Sequence, residues 1–162
     1  MTTTIRKSKP HKSDWAAGNA PKYFSYREAW ARIKMASRQG FYLEAVTIEE
    51  SIISDRMLSF LEKNCGVVLG GHSLNNTSKE WLKHATKLVG AESEAANEVK
   101  ALFANLDAWR EYRNQVVHGI VKSKASRHED HIDNFLVAAA QAAKDGEKVA
   151  RAIDRWVGKN AK

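Results

Sequence analysis

The sequence predicts an all-α protein: a bundle of about five helices behind a flexible basic N-terminal tail, residues 1–24. Three observations carry this. Both prolines, Pro10 and Pro21, lie within those first residues, so nothing beyond them resists helix. Apolar residues recur at helical spacing through most of the rest, and no stretch alternates apolar and polar residues as a half-buried strand does. Hydrophobic residues make up 43% of the 162, enough to bury one core in one domain, residues 25–162.

The elements follow in order. The stretch "MTTTIRKSKPHKSDWAAGNAPK" is polar and aperiodic, a solubilising arm whose Arg6, Lys7, Lys9 and Lys12 are also suited to touching phosphates. Ser25 is the expected cap of the first helix, with Glu28 completing a capping box, and "YREAWARIKMASRQ" runs to a break at Gly40. A second helix covers about Phe41 to Asn64. The stretch "CGVVLGGHSLNNTS" is a Gly- and Asn-rich loop without the Gly-Lys-Ser/Thr ending of a phosphate-binding loop. It closes on Ser78, the expected cap of "KEWLKHATKLV", which Gly90 ends. The fourth helix covers about Glu92 to Asn114 and terminates near Gly119. In the fifth, Ile132, Phe135, Leu136, Ala139, Ala143, Val149, Ile153 and Trp156 keep helical spacing. Trp30, Trp81, Trp109 and Trp156 sit among aliphatic residues and are expected in the core, His72 and His84 at the surface.

Composition narrows the function classes. Lys and Arg number 26 against 19 Asp and Glu, a net charge of +7 that is compatible with a nucleic-acid partner without requiring one. Cys65 is the only cysteine, which excludes a disulfide framework and a thiolate metal cluster. No membrane span and no apolar signal region are evident, and a reducing cytoplasm is the expected location. "HEDH" spaces His128 and His131 as two metal ligands, but no further ligand cluster accompanies them, so no metal or other cofactor is expected.

Two helices place charge where apolar residues belong. At roughly 100° per residue, Glu49 and Arg56 fall inside the apolar stripe formed by Ala45, Val46, Ile52, Ile53, Met57 and Phe60. Arg113 falls at the centre of the stripe of Ala95, Val99, Leu102, Leu106 and Trp109. A buried unpaired charge costs several kcal/mol, so such residues are paired, wetted by a cleft or turned toward another subunit. An internal Glu49–Arg113 or Glu49–Arg56 ion pair is the purely structural reading. His118 adds a titratable imidazole five residues beyond Arg113. In a regular helix the two point roughly 140° apart. Either the helix ends at Gly119 and swings His118 back, or two such segments meet across a twofold axis.

The stretch "EYRNQVVHG" resembles the motif of the HEPN superfamily, all-α domains marked by Arg, four to six residues, then His, often with Asn after the Arg. Here Arg113, Asn114 and His118 meet that pattern, within helices matching over about residues 25–157. Arg6 and His11 repeat the spacing in the tail, but only Arg113 closes a long amphipathic helix and has Asn beside it. The resemblance implies a metal-independent endoribonuclease acting as a homodimer on an RNA substrate, of the toxin or defence-effector type. The chemistry suits the residues. A histidine imidazole exchanges protons near neutral pH, so His118 serves the 2′-hydroxyl or the leaving 5′-oxygen. The Arg113 guanidinium offers a planar fork for phosphate oxygens. Asn114 is expected to orient substrate or imidazole, and Glu49 to fix Arg113. Some HEPN toxins carry a Tyr two positions after the His, which a partner enzyme modifies to silence them. Ile120 stands there in this chain, so another antitoxin or inhibitory protein partner would be needed. The alternative is a catalytically silent helical module that binds nucleotide, RNA or a protein.

Overall fold

Five helices and no strand occur among the described residues, 20–71, 73–119 and 128–161, of the computed structural model. Helix α1, Ala20–Gln39, starts before the expected boundary at residue 25. Pro21 stands in its first turn, where a missing N–H breaks no helical bond. Ser25, expected as the cap, therefore lies inside the helix. Gly40 ends α1 in the left-handed region, φ 78°, and the Phe41 N–H returns to the Ala36 carbonyl at 2.8 Å.

Helix α2 spans Tyr42–Cys65 and ends at Gly66, φ 65°, whose N–H donates to the Glu62 carbonyl. Helix α3, Leu74–Val89, is capped by Ser73, whose Oγ accepts from the Asn76 N–H. Ser78, the expected cap, is buried inside α3 and donates its hydroxyl to the Asn75 carbonyl at 2.9 Å. Leu74, Thr77, Ser78, Trp81 and Ala85 are buried at helical spacing, so the Asn-rich stretch that reads as loop begins an amphipathic helix. Helix α4, Glu94–Gly119, starts behind Ser93, whose Oγ accepts from the Ala96 N–H at 3.1 Å. Helix α5, His128–Asn160, has 33 residues and is about 50 Å long.

Helix α2 packs most extensively on α5; α1 covers α2, and α3 lies against both α2 and α4. Phe60, Trp81 and Trp156 join α2, α3 and α5 edge to face, with ring centroids 5.2 and 5.1 Å apart. Trp109 is also buried, as expected, while Trp30 is half-buried under the Arg151 guanidinium at 4.3 Å. No helix among the described residues is long and apolar enough to cross a membrane.

Cross-contacts set the helix directions. The Trp109 indole N–H donates to the Ala142 carbonyl at 2.9 Å and the Tyr112 hydroxyl to that of Ala138 at 3.4 Å, so α4 and α5 are antiparallel. Glu49 faces Gly146 and Arg56 pairs with Asp154, so α2 runs parallel to α5. The start of α2, the end of α4 and the start of α5 therefore share one end of the bundle, where Arg113 and His118 sit.

Candidate active site

Arg113 lies in the apolar stripe of α4, between the buried Trp109 and Val116, with its side chain 18% exposed. It forms an ion pair with Glu50 of α2, and its second terminal nitrogen donates to the Asn114 side-chain oxygen at 2.7 Å. Its Nε has no partner among the described residues. The fork is thus held from both sides, and the unpartnered Nε is itself buried. Asn114, expected to orient substrate or imidazole, instead accepts from the Arg113 guanidinium.

Glu49 does not hold Arg113. The expected pair is replaced by Glu50–Arg113, because adjacent residues of a helix point roughly 100° apart and only Glu50 turns toward the end of α4. The Glu49–Arg56 alternative is replaced too: Arg56 pairs with Asp154 and stacks on the Tyr26 ring at 4.2 Å. Both pairs bring a carboxylate to arginines whose sequence positions are apolar.

Glu49 itself is fully buried, and neither carboxylate oxygen has a hydrogen-bond partner among the described residues. Burial pushes its pKa up to about 8, and the like charge of Glu147 adds to the shift. The carboxyl is therefore largely neutral at pH 7. It fits because position 146 is glycine. A Cβ there would collide with Glu49 Oε2 and stand 2.8 Å from Trp109 Nε1. Glycine inside a helix ordinarily costs about 1 kcal/mol, and here the close approach of α2 and α4 to α5 requires it.

His118 is exposed and helical, because α4 continues unbroken to Gly119. The expected swing toward Arg113 does not occur within the described helix, and the two side chains keep the roughly 140° separation of a regular helix. One chain brings Arg113, Asn114 and Glu50 together and leaves His118 on another face.

His84 is half-buried with Nε2 3.6 Å from Glu80, not at the open surface. His131 is half-buried, and its Nε2 has no partner among the described residues; the His128 side chain lies outside them. The tail, with Arg6 and His11, and also His72 and Ile120, lie outside the described residues. Sequence reasoning missed Glu50 and Gly146. Glu50 was visible only as the neighbour of a stripe residue, and Gly146 only as a glycine within a long apolar period.

The fold and site define an all-α bundle with a buttressed arginine at the end of its fourth helix. No family model, curated protein or solved structure matches the chain.

Proposed function

We propose that the chain is a HEPN-like, metal-independent endoribonuclease whose composite site forms between two copies. The observation that carries this reading is the placement of Arg113. An arginine in a core position near a helix end is fixed by Glu50 and Asn114, its side chain keeps 18% exposure, and an exposed histidine follows in the same helix. A guanidinium so held is ready for phosphate oxygens without further ordering. His118 serves proton transfer from the second copy, since its own Arg113 faces elsewhere. The same end of the bundle supports association: Phe41, Ile132, Leu136 and Val137 are all exposed there, and Phe41 and Leu136 line a common cavity of about 360 Å³. Cleavage by this chemistry leaves a 2′,3′-cyclic phosphate and a 5′-hydroxyl. A toxin or defence effector, restrained by an inhibitory protein, is the setting in which such an activity is tolerated by its host.

A second reading rests on the same pair. Glu50 already neutralises Arg113, so a silent helical module in which the arginine is structural is the competitor. Incubating the purified protein with RNA in EDTA, beside His118→Ala, separates them. Cleavage by wild type alone supports the nuclease; no cleavage by either supports the module.

A further inference from the structure

A groove of about 490 Å³ runs between α4 and α5, within the size range of small-ligand sites. Trp109 and Tyr112 line it together with Val149, and Asn105, Asp145 and Lys148 supply its polar edge. Both rings are anchored by hydrogen bonds to α5 carbonyls, Trp109 to Ala142 and Tyr112 to Ala138. Trp109 also closes tightly on Gly146 of α5. Rings already fixed lose little conformational entropy when a ligand packs on them.

The polar groups are specific in kind. Asn105 is exposed, and an amide carries a donor and an acceptor that match the edge of a base. The Lys148 side chain is 65% exposed, and its ammonium lies 2.8 Å from Asp145. Asp145 also accepts from Gln141 at 2.6 Å, so Lys148 can turn to a phosphate without leaving the carboxylate unpartnered. A flat apolar wall, an amide and a mobile cation together fit a nucleotide unit better than an aliphatic or acidic ligand. The chain's net charge of +7 favours the same polyanion. Along α4 the groove ends at Tyr112, next to Arg113, and Asn105 lies about 12 Å before Arg113.

We propose that this groove is a nucleobase subsite for single-stranded RNA, holding a base close to the linkage presented to Arg113. The proposal rests on the ribonuclease reading for its substrate. Stacking on Tyr112 and Val149 supplies affinity, and the Asn105 amide reads the base edge.

The test measures binding of a fluorescein-labelled 2′-O-methyl RNA hexamer, which cannot be cleaved through its 2′-oxygen, by anisotropy with the full chain. Ala108→Trp fills the groove from an exposed position, and Asn105→Ala removes the amide. Each is expected to weaken binding about 5- to 150-fold, the loss of one stacked or paired base, with an unchanged circular dichroism spectrum. Met35→Trp, exposed on α1, is expected to bind as wild type. Wild-type affinity in both groove variants overturns the subsite, including the case in which Ala108→Trp instead blocks a protein partner. If His118→Ala abolishes cleavage while Ala108→Trp binds normally, the subsite falls and the nuclease stands. If binding depends on the groove in a protein that cuts no RNA, the nuclease reading falls and the subsite stands.

Discussion

Glu50 and Arg113 form the ion pair that ties α2 to the end of α4, each side chain less than a third exposed. Little solvent is left to screen or replace the lost partner when one is removed. Glu50→Ala is expected to destabilise the fold by about 1–3 kcal/mol, and Glu50→Gln, which keeps a hydrogen bond to the guanidinium, by less. Urea unfolding read by circular dichroism checks the order. A Glu50→Ala protein as stable as wild type would show that the pair contributes nothing.

Two glycines of α5 are expected to respond to alanine with opposite signs. At Gly158 the space around a new Cβ is open, so Gly158→Ala is expected to gain up to about 1 kcal/mol from helix propensity. At Gly146 the same methyl meets Glu49 and Trp109, so Gly146→Ala is expected to lose about 1–3 kcal/mol through overpacking. Thermal melts of the two variants decide it. Equal and positive shifts would mean that the α2–α4–α5 crossing leaves room for a methyl group at position 146.

How far the sequence revealed this arrangement depends on which force set each part. Period and glycine breaks located α2, α4 and α5 well, because burial of one helix face leaves its mark at every third or fourth residue. The starts of α1 and α3 were displaced, since Ser25 and Ser78 look like caps, while α1 begins at Ala20–Pro21 and Ser73 is the actual cap of α3. Serine serves as a cap or as a buried, back-bonded helix residue, and only tertiary context chooses. The buried charges were legible as exceptions within apolar stripes. Their partners were not, because choosing Glu50 over Glu49, or Asp154 for Arg56, depends on which helix lies opposite.

Glu49 is expected to make stability fall as pH rises. Its native pKa is raised to about 8 from an ordinary 4.5, so between those values the unfolded chain has released a proton that the native chain retains. Its full contribution is present below about pH 4.5 and is progressively lost up to about pH 8, a change on the order of a few kcal/mol. Asp55 and Asp145, whose pKa values are lowered by their partners, act oppositely but only at pH values below this window. Glu49→Gln cannot ionise and is expected to melt higher than wild type at pH 8 and to flatten the slope between pH 5 and 8. Parallel melting curves for the two proteins across that range would contradict a neutral, buried Glu49.

Arg113→Ala and His118→Ala are each expected to lower RNA cleavage at least about 100-fold, the usual contribution of a positioned proton donor or oxyanion partner. His118 is exposed, so its truncation opens no cavity and leaves the helical signal intact. Arg113→Ala also strips Glu50 of its partner, and its loss of activity must be read beside its unfolding curve. His11→Ala, in the tail that repeats the spacing, is expected to cut as wild type, and EDTA to change nothing. The composite arrangement makes a sharper demand. Within one α4 the two side chains diverge by roughly 140°, so a working site takes Arg113 from one copy and His118 from the other. Mixing the two inactive variants under conditions that exchange subunits gives mixed dimers in which one site regains both groups. Cleavage is therefore expected to return in the mixture and in neither variant alone. If the mixture stays inactive while light scattering shows mixed dimers, the two groups do not act across the interface. If His118→Ala cuts RNA at the wild-type rate, the nuclease assignment at this helix end is wrong.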